Sequence, residues 1–394
     1  MALVLRDGGH KVSFLGPWPH ERWVSAAGLP FHGLPVDTAV LEDPDLWHPQ
    51  RGFGVVWRAT RPAMAGLPGF VKALAPGERC VLLVHPLALP EADLCRAARP
   101  GLKVAAAWLA PSNLPTVHDP LTMGPLRIPR WLPFGVRRWL WRRVGAALID
   151  PVALPDVNAA RQAHGMAPVA GLLEHIVSVA DLSVLLFPGW FAPDQPDWPA
   201  PIYRAGFPLY DADPGAVLSP GLSAFLAAGE RPLVFTPGTG NRQAGHFFRC
   251  ALDAALRLRR RAIFLTAHRE QLPGSLPLSV SWQEYVPLRL LLPHVDALVH
   301  HGGIGTTAEA LAAGVPQLVV PLAHDQFDNA ARIQALGVGR SLSASRLTGL
   351  RLTRQLHAVL ASQDVKAACA QVRTLAARSG GFDALPAALE GLVA

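Results

Sequence analysis

VHHGGIGTTAEALAAGVPQLVVPLAHDQFDNAARI, the stretch Val299–Ile333, reads as strand end, glycine turn, helix, strand and second helix in succession. Val295 to His300 is an apolar run suited to a strand buried on both faces, and Gly302, Gly303 and Gly305 form a tight turn after it. The next helix is predicted to run to Ala313 and to stop at Gly314 and Pro316. A strand feeding a helix through glycines makes an anion site, because free backbone N–H groups and the positive dipole end converge on one point. Gly303 and Gly305 let phosphate oxygens approach the backbone, while His301, Thr306 and Thr307 supply side-chain donors. The result is a diphosphate-sized cradle. The competing reading is that the glycines only bring the helix close to its sheet.

The neighbouring residues favour a ligand. Glu309 lies one helical turn beyond Gly305, placed for ribose hydroxyls, and His324-Asp325-Gln326 falls at the carboxyl end of the next strand, where open α/β sheets take ligands. Asp325 and Gln326 suit sugar hydroxyls. Gly303 to Ala308 also fits a loose GxGxxA dinucleotide pattern, with Asp325 downstream, but that reading leaves His301, Glu309 and Asn329 without a purpose.

Outward from this stretch, short runs rich in Val, Ile, Leu and Phe recur at Lys11–Gly16, Cys80–His85, Leu102–Trp108, Asp181–Phe187, Pro232–Thr236, Ala262–Thr266 and Gln317–Pro321. Helical Ala/Leu/Arg stretches separate most of them, which predicts α/β architecture with parallel sheets. At 394 residues the chain exceeds one hydrophobic core. Gly, Pro and Asp concentrate between Gly206 and Gly221, so we expect an N-terminal Rossmann-like domain over 1–207 and a second over 208–380. The terminal segment 381–394 is expected to be a helix packing back on the first domain.

Half the residues are hydrophobic and 16% are charged, which excludes a disordered or fibrous chain. The formal charge of +7 is mostly dispersed arginine and does not indicate nucleic acid as a partner. Cys80, Cys95, Cys250 and Cys369 are far apart, without metal-ligand spacing, and read as reduced. The start lacks an uninterrupted signal-peptide core, and no apolar window is long enough to span a bilayer. A cytoplasmic location, with the inner membrane face as an option, is expected.

The quoted stretch resembles the donor-binding signature of family 1, GT-B-fold glycosyltransferases, roughly H-x-G-x-x-S/T, E, G-V-P, P, then D-Q and N. His301, Gly303, Thr306, Glu309, Gly314, Pro316, Pro321, Asp325, Gln326 and Asn329 match it in order and spacing. Tyr285-Val286-Pro287-Leu288 is similar to the segment that packs on the nucleotide base in bacterial members, with Trp282 as a second stacking candidate. Phe235 to Gly240 resembles a second phosphate-contacting loop, in which Thr239 could bond the β-phosphate. Leu5-Arg6-Asp7-Gly8-Gly9-His10-Lys11-Val12 is similar to the family's LRDRGHEV, and Phe187–Phe191 with Gln195–Pro199 looks closest to bacterial sterol-type and rhamnolipid-type transferases.

The resemblance implies two Rossmann-like domains with sheets facing across a cleft, and inverting transfer of a hexose from a UDP- or dTDP-sugar to an apolar hydroxyl compound, such as a lipid, sterol or polyketide. The nucleotide sugar is a co-substrate, and no metal or other cofactor is required. The family's general base lies in a loop after the first strand. Ala2–Asp7 reads as the last turns of a helix that normally follows a strand, so a strand, loop and half-helix of roughly 15 to 20 residues are expected upstream. No catalytic base is therefore assigned, and His10 is not promoted to the role. The alternative is a catalytically impaired sugar-nucleotide-binding protein or partner subunit.

From Pro120 to Ile149 there is no acidic residue before Asp150, while Arg127, Arg130, Arg137, Arg138, Arg142 and Arg143 interleave with Trp131, Phe134, Trp139 and Trp141. Segment 127–143 suits either peripheral contact with an anionic membrane or an acceptor cleft with solvated arginines. His85, Asn113 and His118 fall where acceptor-facing loops are expected and read first as structural.

Overall fold

The computed structural model describes residues 1–75, 77–120, 122–123, 126–210, 213 and 215–393, with backbone only at Met123, Leu126 and Arg127. The Arg127 side chain of the basic segment and residues 211, 212 and 214 of the linker lie outside the described set. The chain divides into two compact units, one of residues 1–46, 50–212 and 380–394, the other of residues 47–49 and 213–379.

In the first unit a short helix, Ala2–Asp7, precedes β1 (Phe14–Pro17), which pairs in parallel with β2 (Phe31–Leu34). β3 (Val81–Val84) and β4 (Lys103–Trp108) are parallel neighbours, and β5 (Thr122–Met123) with β6 (Leu126–Arg127) form a small antiparallel ribbon. β7 (Leu182–Leu185) and β8 (Ile202–Arg204) complete a parallel sheet in the order β3-β4-β7-β8. The central strands are apolar on both faces because both are covered. Leu385 and Leu389 of the terminal helix Leu385–Glu390 join Ala105, Ala107, Leu182 and Val184 in one buried cluster.

The second unit is a single six-stranded parallel sheet. Its strands are β9 (Leu233–Thr236), β10 (Ala262–Leu265), β11 (Val280–Gln283), β12 (Ala297–His300), β13 (Gln317–Val319) and β14 (Gly339–Ser341), in the order β11-β10-β9-β12-β13-β14. The order reverses between β9 and β12, so the loops leaving these two strands diverge and open a crevice at their carboxyl ends. Strand alternation explains the unbroken apolar runs: Leu233, Phe235, Phe264 and Val299 fill the core on one face, and Val234, Ile263 and Leu298 fill the core on the other.

Every strand in the interior of a larger sheet was legible as an apolar run. The strands missed by that criterion, β2, β5, β6, β8, β11 and β14, are all sheet edges. Edge strands bury less and need no continuous apolar sequence; Gly339-Arg340-Ser341 is an example. Gly339 is nonetheless fixed by packing, because a Cβ there would collide with the Gln317 carbonyl oxygen of the paired strand. Gly339→Ala should lower the stability of the chain by about 2 kcal/mol, in line with overpacked cores, as read by urea denaturation. An unchanged midpoint would show that β14 can move away freely.

Candidate active site

The helix Ile304–Ala313 starts at Gly303, whose backbone is extended, with no side-chain cap, and ends at Gly314 in the left-handed conformation, φ +68°. Its first turn therefore keeps open donors. The three glycines of the turn do different things. A Cβ on Gly302 would come within 2.6 Å of the Val319 side chain and 3.1 Å of the Gln326 carbonyl, so this glycine brings helix and sheet together. A Cβ on Gly303 would lie 2.5 Å from His301 Nε2. Gly305 is exposed and has nothing near its Cβ direction, so close packing does not account for it.

His301 connects two loops. Its ring also lies against Gly238, in the loop after β9, where a Cβ would approach the imidazole to 2.7 Å and the backbone is left-handed at φ +94°. Glycine is thus required on both sides of the imidazole. The Gly238 loop is held from below: Asn241 accepts from the Gln243 N–H at 2.8 Å, and Gln271 donates to the Asn241 carbonyl at 2.8 Å while accepting from the Ala244 N–H. Thr239 projects exposed from this loop. Gln271 is a structural part of the site that carried no sequence signal.

Behind His301, fully buried His300 bonds Gln317 Oε1 at 2.9 Å and accepts the Gly302 N–H at 3.2 Å. Burial pushes its pKa down to about 3, and the neighbouring His301 adds to the effect. It is a neutral brace for the turn. Burial likewise lowers His301 to about 4, and its Nδ1 is enclosed without a protein partner. At neutral pH His301 is an uncharged imidazole whose Nδ1 has no hydrogen-bond partner among the described residues.

On the other side, the loop after β13 brings Asp325 to the helix N-terminus. Its carboxyl accepts the Ile304 backbone N–H, and Asn329 Nδ2 bridges Asp325 Oδ2 at 2.7 Å to the Gly302 carbonyl at 2.9 Å. Burial raises Asp325 to about 6 against these hydrogen bonds. The preceding residue, His324, adopts φ +58°, an uncommon conformation for a non-glycine residue and one concentrated at functional sites. Gln326 is buried, and its Oε1 accepts from the Leu322 and Ala323 N–H groups at 2.8 and 3.1 Å. Its oxygen is spent on shaping the turn.

The remaining expected residues separate by exposure. Thr306 is partly open, whereas Thr307 is fully buried with an unpartnered hydroxyl inside the helix-sheet packing. Glu309 is half-buried. Of the two stacking candidates, Trp282 is tied to the sheet through Nε1 to the Thr266 carbonyl at 2.9 Å, with Arg269 over its ring, while the Tyr285 ring is open at 71% exposure. The Val286 side chain belongs to the core.

In the first unit, His85 Nδ1 accepts the Leu87 N–H and Asn113 Oδ1 accepts the Ala110 N–H, both as local turn bonds. The His118 ring packs on Phe134 at 4.5 Å. The basic helix Phe134–Leu148 is two-faced. Arg137 and Trp141 turn inward and donate to the carbonyls of Val117 and Thr116 at 2.9 and 3.2 Å, so Arg137 is not part of a solvated stripe. Trp131, Phe134 and Trp139 remain exposed. No helix among the described residues is long and apolar enough to cross a membrane.

A six-stranded parallel sheet whose switch-point crevice presents a glycine turn, an imidazole and open helix amides defines a nucleotide-binding α/β domain, here one of two. Comparison with known proteins makes this specific. Residues 250–380 match the family described as erythromycin biosynthesis protein CIII-like, C-terminal domain. The chain is 31% identical to the O-mycaminosyltylonolide 6-deoxyallosyltransferase of Streptomyces fradiae, over 95% of this chain and 94% of that protein. Its fold is similar to that of the glycotransferase of kitacinnamycin, with TM-score 0.74, 18% identity and coverage of 100% and 95% of the two chains. It is also similar to the spinosyn rhamnosyltransferase SpnG complexed with thymidine diphosphate, with TM-score 0.66, 23% identity and coverage of 98% and 94%. The chain belongs to the family 1, GT-B-fold glycosyltransferases that include the antibiotic glycosyltransferases, and it is a UDP-glycosyltransferase-like hexosyltransferase.

The site carries an opposed pair of titrations. Asp325 is raised from 3.8 to about 6, so the folded state holds its proton longer and loses stability as pH rises through that window. His301 is lowered from 6.5 to about 4, so the fold loses stability as pH falls through an overlapping window. Each shift corresponds to about 3 kcal/mol, and the two offset each other in the intact chain. Removing the imidazole exposes the asymmetry. The stability deficit of His301→Ala relative to wild type should grow by about 3 kcal/mol between pH 4 and pH 7 in urea titrations; a deficit independent of pH would contradict the buried neutral imidazole.

Proposed function

We propose that this glycosyltransferase moves a deoxyhexose from a thymidine diphosphate sugar to a hydroxyl of an apolar, polyketide-like acceptor, with inversion at the anomeric carbon. The observation that carries the donor half is the unpartnered His301 imidazole wedged between Gly238 and Gly303 at the open end of the helix Ile304–Ala313. Phosphate oxygens of the donor accept hydrogen bonds from this imidazole, from Thr306, from Thr239 and from the backbone at Gly305. As the sugar–phosphate bond breaks, negative charge builds on the departing diphosphate, and fixed donors already aimed there stabilise it without reorganisation. Tyr285 covers the base, Glu309 bonds the ribose, and Asp325 with the Gln326 amide holds the sugar. The deoxysugar and the thymidine nucleotide are supported by relatives named for 6-deoxyallosyl and rhamnosyl transfer, the latter complexed with thymidine diphosphate. The polyketide acceptor is supported by the first relative's named acceptor, O-mycaminosyltylonolide.

Calorimetry with thymidine diphosphate and with uridine diphosphate should give saturable binding, tighter for the former. His301→Ala should weaken it by about 10- to 100-fold, as for loss of a hydrogen bond to a charged group. Equal affinity in wild type and variant would remove the donor assignment.

A further inference from the structure

A second cavity lies at the other end of the same sheet. It has a volume of about 650 Å³, within the range of small-molecule sites, and is formed entirely by the second unit. Its walls come from segments that precede β9, β10, β12 and β13, whereas the donor loops follow β9, β12 and β13. It is therefore separated from the site above by the length of the strands.

Its charge is one-sided. Arg231, Arg260, Lys366 and Arg373 line it against a single carboxylate, Asp296. That carboxylate is already committed to Arg260, which also reaches Glu230 at 3.5 Å. The side chains of Arg231, Lys366 and Arg373 have no hydrogen bond or ion pair with another described residue. The negative end of the helix Ile304–Ala313 also faces the cavity, but it contributes only about half a charge. Two of its carbonyls, Ala310 and Leu311, are taken by the Gly314 N–H. Lys366 stands in the first turn of the helix Gln363–Ala377, where the dipole disfavours a cation. The floor is apolar, built from Leu292, Val295, Val315 and Leu360.

We propose that this cavity binds a small phosphate monoester with an apolar body, its phosphate held by Arg231, Lys366 and Arg373 and its carbon portion resting on the apolar floor. Converging cations repel one another until a multiply charged anion neutralises them, and phosphate esters supply both that charge and the acceptor oxygens that guanidinium groups bind. Sulfate or chloride would satisfy the charge without using the floor.

The test is calorimetry of the full chain with hexyl phosphate, inorganic phosphate and hexanol at constant ionic strength, with thymidine diphosphate as a separate titrant. Wild type should bind hexyl phosphate saturably and at least tenfold more tightly than inorganic phosphate, and hexanol should give no saturable heat. The exposed-surface variants Lys366→Glu and Arg373→Glu, singly and together, should lose hexyl phosphate while retaining thymidine diphosphate, which also reports that they are folded. His301→Ala should show the reverse pattern. Hexyl phosphate binding that survives Lys366→Glu with Arg373→Glu, that disappears with His301→Ala, or that is absent in wild type would overturn the proposal.

Discussion

The site at the helix tip depends on one steric fit, the His301 imidazole between two glycines that can carry no side chain. Gly303 starts the helix and Gly238 turns the loop after β9, and either as alanine would drive a Cβ into the ring. The fit works because β9 and β12 are adjacent at the point where strand order reverses, which brings two otherwise distant loops together. Around that ring, His300, Asn241, Gln271 and Asn329 hydrogen-bond the backbone of the site, and Gln317 holds the His300 ring. Such bracing fixes the ring and the helix tip in place, and fixed donors cost no reorganisation when charge develops.

Asp325 introduces a tension. A carboxylate at a helix N-terminus is stabilised by the dipole, yet here it stands beside the place where a diphosphate would bring more negative charge. Burial lifts its pKa to about 6, which reduces the cost of that proximity, because part of the population is protonated near neutrality. A bound anion would raise it further and would at the same time pull His301 upward from about 4.

Both ends of the second unit's sheet concentrate positive potential, but by different means. At the carboxyl end it comes from backbone amides and a neutral imidazole, specific in geometry and nearly independent of ionic strength. At the other end it comes from arginine and lysine side chains around an apolar floor, sensitive to salt.

The sequence by itself determined the alternation of strands and helices, the interior strands, the glycine turn at Gly302-Gly303 and the residues that converge on it. These are short-range properties, carried by apolar periodicity and by local steric demands that only glycine meets. Tertiary structure decided which of the named residues still have a free polar atom. Gln326 and Thr307 look alike as polar motif residues, yet one spends its oxygen on a turn and the other buries its hydroxyl. Val286 and Tyr285 are adjacent, yet one is core and the other open. Arg137 lies in a basic run but turns inward. The Gln271 brace was hidden because its partners are remote in sequence, and only the folded chain brings them within hydrogen-bonding range.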